Sequence, residues 1–235
     1  MISKHCGGRR AEHSELPAGK YACFEINVFE RVLWVAFLVD TSVMKYNECK
    51  ECKGIFVYTF MFADPQKNID QFGLQPGMLV ADIGAGSGFY SIAAARALAG
   101  KGSVYAIDVQ QELLAKLSNE ARKQGINHIE TVWGNAEKLG GTKLGDSSID
   151  AAIISNTLFQ ADDRPGLLAE AFRILKPGGR LLLIDWGESF GGMGPDPMHV
   201  VTQIAAEGLL KTAGFASDRV IQAGAHHYGL IYKKP

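Results

Sequence analysis

A run of glycines between a strand-like and a helix-like segment constrains this chain most strongly. The segment from Val80 to Ile83 is apolar apart from Asp82, and it leads through Gly84, Gly86 and Gly88 into a second apolar segment. Glycine suits such a turn because it adopts positive φ readily and lets a ligand approach the backbone closely. The pattern therefore predicts a strand, a ligand-contacting turn and a helix, in that order.

The spacing of these glycines argues against a dinucleotide fingerprint. That fingerprint needs its third glycine one residue later than Gly88, where Phe89 stands. Asp108 lies about 20 residues beyond the loop, at the end of the next predicted strand, where an acid can accept hydrogen bonds from ribose hydroxyls. It could also cap a helix that starts near Gln110, and the two roles can coexist.

From about residue 72 onward, apolar runs of strand length alternate with segments of helical period. Such alternation is typical of an α/β fold in which helices cover a parallel sheet. The unbroken apolar run in the strand before Trp186 predicts a central position. The predicted strands are Met78–Ile83, Ser103–Ile107, Ile129–Trp133, Ile149–Ser155, Arg180–Trp186, Arg219–Gln222 and His226–Tyr232, and the predicted helices are Phe89–Ala99, Gln110–Gln124, one around Leu167–Leu175, and Asp196–Ala213.

Composition narrows the possible partners. The 24 basic and 25 acidic residues nearly cancel, which disfavours nucleic acid as a partner. The longest apolar run, Val32 to Val39, is far shorter than the roughly 20 residues that cross a bilayer, so we expect no membrane span. The first ten residues contain no signal-peptide core, so a cytoplasmic location is expected.

Residues 1–60 follow neither the helical nor the strand period, and we interpret them as an N-terminal extension before a domain over residues 61–235. Their position before the first strand suggests a lid over the site. They carry Cys6, Cys23, Cys49 and Cys52, which are expected to be reduced thiols in the cytoplasm. Cys49 and Cys52 have the spacing of half a zinc site, but no clear second pair of ligands follows, so no metal is assigned.

Four motifs occur in order along the chain: the glycine loop, Tyr105-Ala106-Ile107-Asp108, Gly134-Asn135-Ala136-Glu137-Lys138-Leu139, and a predicted turn before the fifth strand, Leu175-Lys176-Pro177-Gly178-Gly179. Together they resemble the class I S-adenosylmethionine-dependent methyltransferases over residues 65 to 233, and the glycine loop is most similar to the ubiquinone and menaquinone C-methyltransferase branch. The resemblance implies a doubly wound, seven-stranded, mostly parallel sheet with a Rossmann-like architecture. It also implies S-adenosylmethionine as cofactor and a small-molecule methyl acceptor.

The same resemblance implies the cofactor-binding residues. Asn135 departs from the branch, which usually has an aspartate there, although an Asn carbonyl can also accept a hydrogen bond from the adenine amino group. The absence of Pro-Pro after Asn156 disfavours amino-adenine and glutamine acceptors. The implied contacts are Asp82, Gly84, Ala85, Gly86, Ser87 and Gly88 around the methionine part, Asp108 at ribose, Asn135 and Ala136 at adenine, and Asn156 at the transfer site. Val109 is a further candidate cofactor-binding residue. Tyr90 opens the helix after the glycine loop and is expected either to cover the cofactor or to pack into the core.

Methyl transfer from a sulfonium is an in-line displacement, so a base is needed only if the acceptor loses a proton. The candidate catalytic residues are Asp185, near the end of the predicted fifth strand, and His199, in the first turn of the predicted helix that follows. Of the adjacent His226 and His227, at most one can enter a site, because neighbouring strand residues point to opposite faces, and a structural role is expected for both. A non-catalytic S-adenosylmethionine-binding protein and a nucleotide-binding oxidoreductase are the alternative functions.

Overall fold

The computed structural model describes residues 63–190 and 194–235. The predicted N-terminal extension, its proposed lid role and its cysteines lie outside these residues. The helices are α1 (Pro65–Phe72), α2 (Phe89–Leu98), α3 (Gln111–Lys123), a 3₁₀ turn (Leu158–Gln160), α4 (Arg164–Ile174) and α5 (Gln203–Thr212), and the strands are β1 (Leu79–Ile83), β2 (Ser103–Asp108), β3 (Ile129–Trp133), β4 (Ile149–Ser155), β5 (Leu175–Trp186), β6 (Ala216–Gly224) and β7 (His227–Lys233).

The strands form one seven-stranded sheet in the order β3-β2-β1-β4-β5-β7-β6. The pairs from β3 to β5 are parallel, and β7 runs antiparallel to both β5 and β6. The predicted doubly wound, mostly parallel sheet is therefore confirmed, and β5 lies inside it as expected. The carboxyl ends of β1, β2, β4 and β5 meet at one edge, where open α/β sheets bind ligands.

Helices cover both faces of the sheet. Successive strand residues point to opposite faces, so Val80 packs under α1 and α2, whereas Ala81 packs on the face covered by α4 and α5. On α3, Leu114 and Leu117 pack against Ala106 of β2. α3 thus packs its apolar side against the sheet, and the two-sided burial explains the continuous apolar runs of the central strands.

Two element boundaries differ most from the sequence prediction. The predicted helix from Asp196 is wrong in its first turns: Asp196 Oδ1 accepts a hydrogen bond from Met198 N at 2.9 Å in a turn, and α5 begins only after Thr202, whose hydroxyl accepts from Ala205 N. β5 also begins at Leu175 rather than Arg180, because the predicted turn is a bulge in a strand that keeps pairing with β4.

Helix α1 was not predicted, although its boundary signals are present. Asp64 caps it by accepting from Lys67 N, Pro65 occupies the first turn, and Gly73 ends it in the left-handed conformation. No helix among the described residues is long and apolar enough to cross a membrane.

Candidate active site

A cavity of about 210 Å³ lies at the carboxyl edge of the sheet. The glycine loop and the first turn of α2 form one wall, the ends of β4 and β5 form another, and the start of β7 completes it. The lining residues are Ala63, Asp82, Gly84, Ala85, Phe89, Tyr90, Ser155, Asn156, Trp186 and His227.

The glycine loop has the conformation that its sequence predicts. Gly84, Gly86 and Gly88 adopt φ values of 73°, 52° and 83°. A Cβ atom on Gly88 would lie 2.1 Å from Leu117 Cδ1, so this glycine allows close packing of the loop on α3. A Cβ on Gly86 would meet only Gly84 O, at 4.0 Å. Protein atoms therefore leave the surface of Gly86 open to a ligand.

Asp82 brings a buried carboxyl group to the cavity. Its side chain is 1% exposed and accepts a hydrogen bond of 2.5 Å from the Ser91 hydroxyl of α2. Burial raises the pKa of Asp82 to about 6, and the nearby Asp108 carboxylate adds to the rise, while Ser91 opposes it. The group is thus mostly ionised at neutral pH but close to its titration range.

Asp108 ties the glycine loop to the start of α3. Its Oδ2 accepts from Gly86 N and its Oδ1 from Gln110 N, each at 2.8 Å. The alternative helix-capping role is therefore partly present, because Asp108 binds the backbone that precedes α3. Each carboxylate oxygen keeps a further lone pair for a ligand hydroxyl, and the neighbouring Val109 is 56% exposed.

The loop after β3 presents Asn135 at the surface and Ala136 in the core. Asn135 Oδ1 accepts a hydrogen bond of 2.9 Å from Glu137 N, which holds the amide in a turn and leaves its NH₂ group available. Glu170 fixes the end of this loop by accepting from Gly140 N and Thr142 N. The loop is therefore a rigid edge beside Asp108.

Asn156 is strained and incompletely bonded. It is a non-glycine residue with φ of 52°, and its buried Oδ1 has no hydrogen-bond partner among the described residues. A left-handed conformation costs most L-residues about 1–2 kcal/mol and costs Asn less, because its short polar side chain tolerates it. A buried acceptor without a donor costs about 1–3 kcal/mol. Both features are typical of residues that are held for binding rather than for stability.

Tyr90 covers the cavity from the first turn of α2. Its hydroxyl accepts a hydrogen bond of 2.9 Å from Asn68 Nδ2 of α1, which fixes the ring in place. Burial raises the pKa of Tyr90 to about 12, so the phenol stays neutral at physiological pH. This placement is consistent with a position over the cofactor pocket, and contact of Tyr90 with the cofactor stays a prediction.

The two predicted catalytic residues lie elsewhere. Asp185 is fully buried, and Oδ2 and Oδ1 of its carboxylate accept from Phe159 N and Trp186 N, at 3.1 and 2.8 Å. Asp185 does not line the cavity. Its hydrogen bond from Phe159 N links the 3₁₀ turn to β5. His199 is exposed in the turn before α5 and does not line the cavity either. A catalytic role for either residue stays a prediction.

Comparison with known proteins places this architecture in a family. Residues 81–183 match the model of a methyltransferase domain. A ubiquinone/menaquinone biosynthesis C-methyltransferase from Vibrio vulnificus is 34% identical over 160 residues, which cover 68% of this chain and 59% of the relative. A crystal structure of an S-adenosylmethionine-dependent methyltransferase from Aquifex aeolicus is 31% identical with a TM-score of 0.66, and the match covers 73% of this chain and 89% of that one.

The chain belongs to the class I S-adenosylmethionine-dependent methyltransferase family. A methyltransferase structure from Methanosarcina mazei, 26% identical with a TM-score of 0.58, covers 71% of this chain and 96% of its own. The chain matches only 63% and 59% of the length of two curated relatives, from Marinomonas and Vibrio. The predicted resemblance and fold are confirmed, and the family is defined by its use of S-adenosylmethionine.

Within this methyltransferase frame, the predicted cofactor residues fall into two adjoining groups. Asp82, Gly84, Ala85, Tyr90 and Asn156 line the cavity itself. The others lie in the glycine loop, namely Gly86, Ser87 and Gly88, or at the ends of β2 and β3, namely Asp108, Val109, Asn135 and Ala136.

Sequence reasoning missed Trp186 and His227 as parts of the cavity wall. They face each other across the β5–β7 pairing, at the edge that also carries the glycine loop. Because β7 runs antiparallel, its first residue lies at the carboxyl edge of the parallel strands. The only local signal was the pair of histidines at the start of a predicted strand.

Proposed function

We propose that this chain is a methyltransferase that transfers a methyl group from S-adenosylmethionine to a small-molecule acceptor by direct in-line displacement. The observation that carries the proposal is the cavity beside the glycine loop, which joins a buried acid, an open glycine surface and an apolar wall at the edge where this family binds its cofactor. Family membership supports the cofactor assignment.

The residues at the site fit S-adenosylmethionine. Its methionine part carries an ammonium group, for which the buried carboxylate of Asp82 is a matched partner. The open surface at Gly86 leaves room for the methionine part of the cofactor to lie against the protein backbone. The unpartnered Oδ1 of Asn156 would accept a hydrogen bond from a ligand N–H group. These groups would hold the methionine half of the cofactor.

The adenosine half would extend along the ends of β2 and β3. Asp108 retains acceptor capacity for the ribose hydroxyls, and exposed Val109 offers apolar surface beside it. Asn135 would take part at the adenine edge, although its Oδ1 is shared with Glu137 N. Ala136 contributes backbone there, since its side chain is buried.

The cofactor supplies an activated methyl group, so the protein has only to align the acceptor and exclude water. Phe89 and Trp186 provide apolar surface on the cavity wall, which favours an acceptor with an apolar or planar body. The carbon methylation named for the curated relatives makes a carbon acceptor the first class to test.

A transfer assay tests the proposal. Full-length protein is incubated with S-adenosylmethionine labelled in the methyl group and a metabolite extract, and labelled products are separated and identified. The proposal predicts a labelled small molecule that disappears when Gly86 is replaced by Ala, since a Cβ would occupy the open ligand surface. Absence of any labelled product would leave a non-catalytic binding protein as the correct description.

Ligand stabilisation provides a second measurement. A ligand at one hundred times its dissociation constant stabilises the folded state by about 2.7 kcal/mol. We expect S-adenosylhomocysteine to raise the melting temperature and NAD to leave it unchanged. The reverse result would identify a nucleotide-binding oxidoreductase instead.

A further inference from the structure

His227 lies in the cavity wall, and none of the proposed cofactor contacts involves it. It is the first residue of β7 and pairs with Trp186, the last residue of β5. Asp82, Tyr90 and Asn156 line the same cavity. Of the two adjacent histidines, His227 is therefore the one that belongs to the site. The ring of His226 instead stacks on Phe190, and its Nδ1 donates a hydrogen bond of 2.8 Å to Glu188 Oε1.

The ring nitrogens of His227 are buried and have no hydrogen-bond partner among the described residues. Asn156 Oδ1 is in the same condition in the same cavity wall. Each unpartnered buried polar atom costs about 1–3 kcal/mol, so such atoms are rare in proteins unless a ligand completes them. Three of the five unpartnered buried side-chain atoms in the described residues belong to these two cavity-lining side chains, and the other two belong to Asn68 and Tyr228. The pair in the cavity wall indicates a polar ligand that is bound between Asn156 and His227.

The imidazole of His227 is held neutral. Burial lowers its pKa to about 4, and the neighbouring His226 contributes to the lowering. A neutral imidazole carries one N–H donor and one acceptor nitrogen. The ring packs against Trp186 with centroids 4.2 Å apart and planes inclined at 39°, which limits its rotation. The acceptor nitrogen thus has a defined position and no competing partner in the described protein.

We propose that His227 binds the attacking atom of the methyl acceptor and takes its proton during transfer. The inference rests on the proposed function and adds the acceptor class: the attacking atom carries a hydrogen, as in a hydroxyl, a thiol, an amine N–H or an activated C–H group. Acceptors without such a hydrogen, for example tertiary amines and thioethers, are excluded as substrates of this site.

The step balances as follows in atoms and electrons. The electron pair of the attacking atom forms the new bond to the methyl carbon, and the sulfur–methyl bond breaks with its electrons kept by sulfur. The bond between the attacking atom and its hydrogen breaks, its electrons stay on that atom, and the proton goes to the acceptor nitrogen of His227. The imidazolium then returns the proton to solvent, which its low pKa favours.

Nuclear magnetic resonance on full-length protein with ¹⁵N-labelled histidine tests the binding half of the inference. The protein is saturated with S-adenosylhomocysteine and titrated with phenol, and with anisole as a probe of similar shape that lacks the hydroxyl hydrogen. We expect phenol, but not anisole, to shift a ring nitrogen resonance of His227 and to leave His226 unchanged. Equal responses to both probes, or no response of His227 to phenol up to its solubility limit, would overturn the inference.

Kinetics test the proton-transfer half. With the acceptor identified by the labelled-methyl assay, His227→Ala should lower kcat/KM about 100-fold, the lower range for a general base. Added imidazole should restore part of the rate by occupying the vacated space, and His227→Asn should not be rescued. His226→Ala is the matched control and should retain wild-type kinetics. Circular dichroism confirms that each variant is folded at the assay temperature.

Failure of this inference is distinguishable from failure of the proposed function. If wild-type protein transfers no label, the proposed function is wrong and the role of His227 falls with it. If label is transferred but His227→Ala has wild-type kcat/KM, or the product is a methylated tertiary amine or thioether, only the inference is wrong. Loss of rate without imidazole rescue would also overturn it, since that result indicates a structural role.

Discussion

Two groups of buried polar side chains in this methyltransferase contrast in how completely they are hydrogen-bonded. The Glu170 cluster, formed by Glu170, Arg173 and Thr142, lies under the loop after β3. The polar cavity wall, formed by Asp82, Asn156 and His227, lies at the ends of β1 and β4 and the start of β7. Both are enclosed by the fold, but only the first has partners for all its buried side-chain atoms.

The Glu170 cluster satisfies its buried charge fully. Glu170 is fully buried, and its two oxygens accept from the Arg173 guanidinium at 2.7 and 2.8 Å and from the Thr142 hydroxyl at 2.5 Å. Burial alone would raise the pKa of Glu170, but these hydrogen bonds and those from Gly140 N and Thr142 N outweigh it and lower the pKa to about 2.

The polar cavity wall is left with unused hydrogen-bonding capacity. Asn156 Oδ1 and both nitrogens of His227 lack partners, and burial raises the pKa of Asp82 to about 6. The fold thus stabilises the loop beside Asp108 and keeps binding groups unsatisfied around the cavity. We therefore expect substitutions in the Glu170 cluster to lower the free energy of unfolding. Substitutions in the cavity wall should instead weaken ligand binding or slow turnover.

The largest expected effect is on the Glu170 cluster. Glu170→Gln removes the charge that compensates Arg173, and breaking a buried ion pair costs about 3–5 kcal/mol. We expect the free energy of unfolding, measured in urea, to fall by about 4 kcal/mol. Glu112→Gln, in the exposed first turn of α3, is the control and should change it little. A loss no greater than that of the control would contradict the contrast.

The same cluster predicts acid sensitivity with a defined sign. The folded-state pKa of Glu170 is lowered from 4.5 to about 2, so its stabilisation is fully present above pH 4.5 and is lost as the pH falls towards 2. Wild-type protein should therefore lose stability faster than Glu170→Gln over this interval. If the free energy of unfolding fell equally with pH in the two proteins, folding would not lower the pKa of Glu170.

A pair of glycine substitutions separates packing from binding. Gly88→Ala combines positive φ with a clash against Leu117 and should lower the free energy of unfolding by about 3 kcal/mol. Gly86→Ala has the same kind of φ but open space, so it should lose only about 1 kcal/mol of stability. Calorimetric titration should nevertheless show S-adenosylhomocysteine binding at least about tenfold weaker in Gly86→Ala, a loss of about 1.4 kcal/mol. The reverse ranking of stabilities would contradict this assignment.

Substitutions at Asn156 test whether the conformation of the cavity wall lowers the free energy of unfolding. Asn156→Gly should raise the free energy of unfolding by about 1 kcal/mol, because glycine adopts the left-handed conformation without strain. Asn156→Ala keeps the strained backbone and should not gain that stabilisation. Both variants should transfer methyl groups more slowly than wild type. A wild-type transfer rate in either variant would show that the amide serves only the fold.

The last prediction concerns the pH dependence that Asp82 gives to binding and stability. Because its pKa is raised to about 6, the carboxylate that attracts the ammonium group forms as the pH rises through 6, and S-adenosylhomocysteine affinity should rise roughly tenfold over that range. The unliganded protein should lose stability as the pH rises from 3.8 to about 6, because the folded state favours the protonated form of Asp82. Asp82→Asn should remove both dependences, and their persistence in the variant would assign them to another group.

The parts of the site that follow one another along the chain could be predicted from the sequence. The glycine loop between β1 and α2, and Asp108 at the end of β2, are local patterns with a direct structural meaning, and the structure places them together. The order and type of most elements followed from apolar periodicity, because strands buried on both faces read as continuous apolar runs.

The parts that depend on distant pairing could not be predicted. His227 enters the cavity only because β7 inserts antiparallel between β5 and β6, and nothing local to the two histidines specifies that register. The start of β5 was missed because Lys176-Pro177-Gly178-Gly179 has the composition of a turn, yet Gly178 N and Gly179 O bond to Lys234 and continue the sheet. Local turn chemistry was outweighed there by strand pairing.

Photochemical crosslinking tests directly whether the cavity beside the glycine loop binds S-adenosylmethionine. Full-length protein is irradiated with S-adenosylmethionine labelled in the methyl group, and the labelled peptide is located by mass spectrometry. We expect label on the aromatic wall, at Phe89, Tyr90 or Trp186, that excess S-adenosylhomocysteine prevents and excess NAD does not. Label outside the cavity, or label displaced by NAD alone, would contradict it.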